Sequence, residues 1–252
     1  MRVLYISTVF PRPERSATIY TDLAQELVLR GHKITVVAAE NGSDFKKTAL
    51  LPERNMEVLR VRTGRLYDVG FLHKGISVIT LKYFLILAMQ KYLRSCEFDF
   101  VLFETPPIHM VDGVAWAMKK YKCPSYLMLK DIFPQNAIDL GIIKKSSPLH
   151  WYFRRKEKSL YQLASRIGCM SEANKNYILH HNKEINPSKV EVFPNTKKLT
   201  VPAVNAEDAD MRQKYNIPRE RIICVYGGNM GKPQGLEFLQ EILISNQHNE
   251  KA

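Results

Sequence analysis

The sequence has few cysteines and no long uninterrupted apolar run. Its four cysteines are widely separated and include no C-x-x-C pair, which argues against a disulfide framework or a metal site and favours buried, reduced thiols. The apolar start, MRVLYISTVF, is too short for a signal peptide. The most hydrophobic later segment, residues 75–93, is interrupted by Lys82. It is short for a membrane span and predicts a helix packed on a sheet, with contact to a membrane surface as the alternative.

Common nucleotide- and nucleic-acid-binding signatures are also missing. The chain has no zinc finger, no aromatic RNA-binding signature and no basic arm. The glycine-rich stretch VYGGNMGKPQGLEFLQ, residues 225–240, fits neither G-x-x-x-x-G-K-[ST] nor G-x-G-x-x-G, because its glycine spacing differs and Pro233 stands where Ser or Thr would bind magnesium. These absences argue against an ATPase, an ordinary NAD enzyme and a nucleic-acid binder.

Positive charge, by contrast, is abundant. Lysine and arginine number 37 against 25 aspartates and glutamates, a net charge of +12, which favours a phosphate-bearing substrate or an anionic membrane surface as partner. The segment 151–156, WYFRRK, mixes aromatic with basic side chains, and we expect it to dock on anionic headgroups. A charge run is usually a solvated face, and that alternative stays open for each basic cluster.

Short apolar segments alternate with helical ones along the first 195 residues. Strands are predicted at residues 2–8, 33–39, 56–62, 98–104, 124–130, 166–171 and 189–195. Helices are predicted at residues 18–30, from 75 onward, and at 108–121, 148–164 and 172–181. This alternation predicts an α/β fold with a doubly wound, parallel, Rossmann-like sheet.

The texture of the chain changes after residue 195. Residues 196–220 are polar and bounded by prolines, which predicts a linker with a small helix near 208–215. A buried strand at 222–226, a glycine-rich turn and a helix from near Gly235 then predict the start of a second Rossmann-like domain, residues 221–252. The turn amides, the helix N-terminus and Lys232 suit a diphosphate. A turn with only a packing role is the alternative.

Four segments, in this order, resemble one known family. The family's opening strand, helix and second strand are matched by RVLYISTVFPRP with TDLAQELVLRGHKITVVAA. Later parts of the family pattern are matched, in order, by FETPPIHM with KDIFPQN, by EKSLYQLASRIGCMSEANKNYI with KVEVFPN, and by GGNMGKPQGLEFL. The chain is similar to the N-terminal part of a family 4 glycosyltransferase of the GT-B fold. The resemblance is closest to bacterial transferases of capsular and surface polysaccharide assembly.

The resemblance implies two Rossmann-like domains facing across a cleft. Residues 1–195 would bind the acceptor, a lipid-linked saccharide, and the second domain would bind a nucleotide-diphosphate sugar. Transfer would retain the anomeric configuration and need neither metal nor other cofactor. Asp208 and Asp210 form a D-x-D, but it lies in the linker and does not predict a metal site. We expect a cytoplasmic protein, with peripheral binding to the inner face of the cytoplasmic membrane left open.

The resemblance also places candidate site residues. The donor diphosphate would be bound by Gly228, Asn229, Gly231, Lys232 and Gly235. The acceptor would be bound by Arg15, Ser16, Glu104 and His109. Asp131, at a strand end, is the catalytic candidate, as an acceptor ligand or proton relay, with capping of the next turn as the alternative. Asn229 and Gln234 depart from the family's usual Arg and Lys, and the first loop lacks its glycine pair.

One family feature is missing. The family's donor-binding E-x7-E segment lies downstream of the glycine-rich loop, and nothing in the sequence up to Ala252 matches it. We therefore expect a fragment, truncated in the second domain and inactive as given. The alternative is a non-catalytic Rossmann module that binds an acceptor or a membrane.

Overall fold

The computed structural model describes residues 1–41, 47–64, 71–199 and 211–247. The chain divides into two compact units, Met1–Lys198 and Leu199–Ala252.

The first unit is built on one mixed, mostly parallel sheet. Its strands are β1 (Arg2–Ser7), β2 (Lys33–Asn41), β3 (Ala49–Glu53), β4 (Met56–Thr63), β5 (Phe100–Thr105), β6 (Ser125–Leu129), β7 (Arg166–Cys169) and β8 (Val190–Val192). They lie in the order β3-β4-β2-β1-β5-β6-β7-β8. Every neighbouring pair is parallel except β3 and β4. This confirms the predicted Rossmann-like fold of the first unit.

Strand β3 was not predicted from the sequence. It is short, carries Pro52 and lies at the sheet edge, pairing only with β4 through a turn at Arg54 and Asn55. Both turn residues have positive φ, 48° and 59°, the geometry of tight hairpin turns. A proline is tolerated in an edge strand because one side of that strand needs no hydrogen-bond partner.

The described helices of the first unit are close to the predicted ones, except for the short α4, which was not predicted. They are α1 (Ile19–Leu29), α2 (Phe71–Tyr92), α3 (Val111–Tyr121), α4 (Gln135–Asp139), α5 (Pro148–Leu163) and α6 (Glu172–His181). Thr18, Ser147 and Ser171 cap α1, α5 and α6 by accepting a backbone N–H bond, which satisfies otherwise unpaired amides at helix starts. Within the described part of the chain, no helix combines the length and apolarity needed to cross a membrane.

The sheet is buried on both faces, so its strands are continuous apolar runs. On one face, Leu4 and Ile6 of β1 belong to a core shared with α2, α3 and α5. On the other face, Val3 and Tyr5 pack in a smaller core with α1. Fully burying one such large side chain contributes about 1.5–3 kcal/mol. Because helices cover both faces of the sheet, its strands are apolar throughout, and such short apolar runs between helical segments can be recognised in the sequence.

The second unit differs from its prediction. Its described helices are α7 (Met211–Lys214) and α8 (Leu236–Ser245), with a 3₁₀ turn at Lys232–Gln234. The buried strand predicted at 222–226 is wrong: no strand forms there, and Ile222 and Val225 are 61% and 84% exposed. An apolar, β-branched segment becomes a strand only when a neighbour accepts its hydrogen bonds, and the described part of this unit contains no other strand.

Candidate functional site

The strand order reverses direction between β1 and β5. From β1 the chain moves through α1 to β2 and on to β4, and it then returns through α2 to β5 on the other side of β1. In open α/β sheets, ligands bind in the crevice outside the carboxyl ends of the strands at such a reversal. Ile6 is paired with Phe103, so Ser7 and Glu104, one position further along each strand, lie side by side at this edge.

Glu104 is a buried carboxyl group at the reversal point. It is 1% exposed, and its Oε1 accepts hydrogen bonds from Ser7 Oγ at 2.6 Å and from the Thr8 amide at 3.1 Å. Burial raises the pKa of Glu104 to about 7, although these donors, Tyr5 and the charge of Lys130 act in the opposite direction. A carboxyl group with this pKa exchanges its proton near neutral pH, as acid–base chemistry requires.

Unpaired polar atoms concentrate at the same edge. In the described part of the chain, the buried side-chain atoms without a hydrogen-bond partner are Tyr5 Oη, Thr8 Oγ1, Glu104 Oε2, Thr105 Oγ1 and Asn136 Oδ1. All but the last belong to β1, β5 or the residue after β1. Buried polar atoms are normally paired, so these atoms leave unused hydrogen-bonding capacity at the carboxyl edge. Tyr5 and Glu104 lie on the α1 face of the sheet and Thr105 on the opposite face.

The loop after β1 is fixed by two arginines that the sequence analysis missed. Arg54 donates to the carbonyl oxygens of Pro11 at 2.7 Å and Arg12 at 3.1 Å. Arg60, fully buried in β4, donates to the carbonyls of Phe10 and Pro11. An arginine inside the apolar segment VLRVR was the available signal, because a buried charge requires partners.

The predicted acceptor residues Arg15 and Ser16 lie beyond this fixed part of the loop. Both are exposed, and the Arg15 amide donates to the Arg12 carbonyl at 3.0 Å. Because they follow β1, they lie at the carboxyl edge of the sheet, as Glu104 does. Their role in binding stays a prediction.

Asp131 and Lys130 follow β6, the neighbour of β5. Burial raises the pKa of the partly exposed Asp131. Lys130 donates to Asn195 Oδ1 at 2.7 Å, and burial lowers its pKa against the opposing charge of Glu104. Helix α4 begins after Pro134 with no side-chain cap, so Asp131 does not cap this helix. The role of Asp131 as an acceptor ligand or proton relay stays a prediction.

His109 lies in a 3₁₀ turn, Ile108–Met110, just after β5. Its Nε2 is 3.3 Å from the Tyr152 hydroxyl, and its ring lies 5.6 Å from that of Phe153, centroid to centroid. Burial, helped by the charge of Lys156, lowers the pKa of His109 to about 4. The imidazole is therefore neutral at neutral pH, and its described contacts join it to α5.

The predicted diphosphate loop lies in the second unit. The Gly231 amide donates to Gln234 Oε1 at 3.2 Å, and Tyr226 donates to the Asn229 carbonyl at 2.8 Å. Gly235, with φ of 61°, precedes α8 in a backbone conformation that glycine adopts without strain. Gly228 lies in the exposed part of this loop, and the side chain of Lys232 lies outside the described residues. A phosphate-binding role for these residues stays a prediction.

No three His, Cys, Asp or Glu side chains of the described residues lie where they could hold a metal ion. Asp208 and Asp210 lie outside the described residues.

The family follows from comparison with known proteins. The family model described as Glycosyltransferase Family 4 matches residues 16–196, which include the β1–α1 loop from Ser16 onward, Glu104 and Asp131. The chain belongs to glycosyltransferase family 4. A search of curated proteins finds no match.

Solved glycosyltransferases share the fold of this family 4 chain. HepE from Anabaena, solved with UDP and glucose, is 14% identical with a TM-score of 0.56, covering 97% of this chain and 58% of its own. The glycotransferase of kitacinnamycin is 12% identical with a TM-score of 0.54, and the match covers 97% of this chain and 63% of its own. A UGT transferase from Siraitia grosvenorii, solved with UDP, is 12% identical with a TM-score of 0.52, and the match covers 98% of this chain and 63% of its own. Identities this low show the fold alone, and the chain spans 58–63% of the length of these proteins.

Proposed function

We propose that this family 4 chain takes part in moving a sugar from a nucleotide-diphosphate sugar to a lipid-linked saccharide in bacterial surface polysaccharide assembly. It would act in the cytoplasm, at the inner face of the membrane. The observation that carries the proposal is the set of buried polar groups at the strand reversal, Glu104 and the hydroxyls without a partner, where open α/β sheets bind their ligands. Of these residues, Glu104 and Thr105 fall within the family-matched range. The UDP and glucose bound in the Anabaena structure support a nucleotide-sugar donor.

The crevice residues suit a saccharide because saccharides present closely spaced hydroxyl groups. In this proposal Glu104 accepts a hydrogen bond from an acceptor hydroxyl, and the Thr8 and Thr105 hydroxyls pair with its neighbours. Arg15, Ser16 and His109 lie further out and would bind the rest of the acceptor. These contacts would position the acceptor without a metal ion.

The transfer step forms a bond from the acceptor oxygen to the anomeric carbon of the donor. The bond from that carbon to the nucleotide diphosphate breaks, and the diphosphate leaves with its electron pair. Asp131 is the candidate to take the acceptor proton, since partial desolvation raises its pKa and so makes its carboxylate a stronger base. The loop at 228–235 would stabilise the leaving diphosphate through its amides and Lys232. We propose retention of the anomeric configuration.

A second candidate function is saccharide binding without transfer. The family match is confined to residues 16–196, all of them in the first unit. An acceptor-binding module would need that unit alone.

Two measurements on the full chain test these functions. The first follows release of UDP from a UDP-sugar in the presence of bacterial lipid-linked saccharides. We expect Asp131→Asn to lower the rate about 100-fold or more, since a positioned proton acceptor contributes that much. The matched control is Asp139→Asn, an exposed acid of α4, which should leave the rate unchanged.

The second measurement is saccharide binding by titration calorimetry. Glu104→Gln should weaken it about ten-fold, since a hydrogen bond to a charged group contributes about 1.5–3 kcal/mol. Binding without UDP release would favour the non-catalytic module. If the chain neither binds a saccharide nor releases UDP, both proposed functions are overturned.

A further inference from the structure

Helix α2 has two apolar stripes. Leu81, Leu85 and Met89 are buried against the sheet. On the opposite side, Tyr83 is 56%, Phe84 42% and Leu87 62% exposed. A surface helix normally presents polar residues on its outer face, so a second apolar stripe indicates contact with something other than water.

Helix α5 carries a comparable outer face. Trp151 is 64% and Tyr152 38% exposed, while Leu160 and Tyr161 on its inner side are buried in the core. The Arg155 guanidinium lies over the Trp151 ring at 5.7 Å from the centroid. Aromatic rings next to basic side chains are typical of helices that lie at a membrane surface.

Asp112 of α3 links the two helices. Its Oδ2 is 3.1 Å from Lys82 Nζ of α2 and 3.1 Å from Lys156 Nζ of α5. Helices α2 and α5 therefore flank α3 on one face of the sheet, and the sides of α2 and α5 turned away from the shared core are exposed on that face. The sequence could not join these two stripes, because the residues of α2 and α5 are far apart along the chain.

The described charged side chains of these three helices are almost all basic. The described side chains of α2, α3 and α5 include only two acids, Asp112 and Glu157, and both are ion-paired. Basic side chains on these helices are Lys82, Lys91, Lys119, Lys120, Arg154, Arg155, Lys156 and Lys158. Such a surface attracts anionic headgroups.

We propose that the outer sides of α2, α3 and α5, here called the α2–α5 face, dock on an anionic lipid bilayer. The face is defined by Tyr83, Phe84, Leu87, Trp151, Tyr152 and Arg155. The apolar and aromatic groups enter the headgroup boundary while the basic groups bind lipid phosphates. A second copy of the chain is a poorer occupant, since two such faces would bring like charges together.

The proposal deepens the proposed function, because a lipid-linked acceptor is reached from a membrane surface, but it can be tested without it. The test is flotation of the full chain with phosphatidylcholine vesicles that contain or lack phosphatidylglycerol. We expect binding to the anionic vesicles only, and loss of binding as salt is raised. UDP release and saccharide binding are measured separately, so failure of one leaves the other readable.

A matched pair of double variants locates the binding surface. Leu87→Ser with Arg155→Gln should weaken vesicle binding about thirty-fold, since one apolar and one basic contact are lost. The control, Leu29→Ser with Arg30→Gln, changes the same residue types at two exposed positions, the last residue of α1 and the residue after it. Helix α1 lies on the other face of the sheet. This control should bind as the wild type does. Circular dichroism melts confirm that both variants fold.

Three results would overturn the proposal. One is wild-type protein that does not float with anionic vesicles at low salt. Another is an equal loss in both double variants, which would place the binding elsewhere. The third is a dimer in light scattering that Leu87→Ser disrupts in protein that does not bind vesicles, which would assign the face to a second copy.

Discussion

Two buried charged groups lie on opposite sides of β1, and the protein treats them differently. All three guanidinium nitrogens of Arg60 donate: to Glu53, to Glu40 and to two loop carbonyls. Glu104 has two donors on one oxygen, and its other oxygen has no partner in hydrogen-bond geometry, although the nearby Tyr5 hydroxyl lowers the pKa of this carboxyl group. The first arrangement fixes the loop after β1, whereas the second leaves hydrogen-bonding capacity at the crevice. Full pairing stabilises the loop after β1, and the incomplete pairing of Glu104 is what the proposed acceptor site would use.

The difference in pairing between Arg60 and Glu104 also decides how well each buried charge is stabilised. Removing a charge from water costs several kcal/mol, and only matched partners offset that cost. The guanidinium of Arg60 has two carboxylates and two carbonyls around it. The carboxyl group of Glu104 has only neutral donors in contact, and its pKa rises to about 7 as a result.

The largest effect should come from breaking the paired side. Arg60→Met leaves the carboxylates of Glu53 and Glu40 without their partner and should lower the free energy of unfolding by about 3–5 kcal/mol. Arg60→Lys keeps the charge but loses the planar, forked geometry, so it should cost less. Urea denaturation monitored by circular dichroism gives both values. A cost below about 1 kcal/mol for Arg60→Met, the level of an exposed pair, would show that this network does not fix the loop.

The next largest effect concerns pH on the unpaired side. The pKa of Glu104 is about 7 in the folded protein, above its ordinary value of 4.5, so the folded state holds the proton more tightly than the unfolded state. Its contribution to stability is therefore present below pH 4.5 and is lost as pH rises through 7. Glu104→Gln does not titrate, so its stability relative to wild type should rise across this window by up to about 3 kcal/mol.

Urea midpoints at pH 5 and pH 8 measure this difference. The control is Glu97→Gln, an exposed acid at the opposite end of the sheet, paired with Arg2. Its profile should stay parallel to the wild type over this range. Parallel profiles for Glu104→Gln as well would mean that the Glu104 carboxyl titrates normally and that the crevice is open to water.

The sequence predicts less of the Arg60 side of β1 than of the Glu104 side. The sheet is predictable because strands buried on both faces are continuous apolar runs with helices between them. The position of Glu104 at a strand end is predictable for the same reason. Its bond to Ser7 joins residues 97 positions apart, and no local pattern encodes such a pair. The partners of Arg60 lie up to 50 positions away, so only the buried arginine itself was visible.

The second unit shows the limit of composition as a guide. The segment 222–226 is apolar and β-branched, which predicts a buried strand, yet no strand forms there and its side chains are exposed. Strand formation depends on a neighbouring strand, which is a property of the whole fold. By contrast, Gly235 before α8 follows from a local requirement, the positive φ at the helix start, and local requirements are visible in the sequence.

The smallest expected effect comes from removing one buried hydroxyl on the Arg60 side of β1 and one on the Glu104 side. Thr63 Oγ1 in β4 donates to the Glu40 carbonyl at 2.9 Å, whereas Thr105 Oγ1 in β5 has no partner. Both residues are buried, 5% and 4% exposed, and valine has the shape of threonine. Thr63→Val should cost about 1 kcal/mol, the net value of a hydrogen bond, and Thr105→Val should cost nothing or stabilise slightly.

Thermal or urea unfolding of the two valine variants measures this difference, and saccharide titration adds the functional side. Thr105→Val should weaken saccharide binding while Thr63→Val leaves it unchanged, because only the unpaired hydroxyl is available to a ligand. An equal stability cost in both variants would mean that the Thr105 hydroxyl already has a partner. The crevice would then have no spare hydrogen-bonding capacity at that position, and the acceptor would have to be bound through Glu104 and the loop after β1.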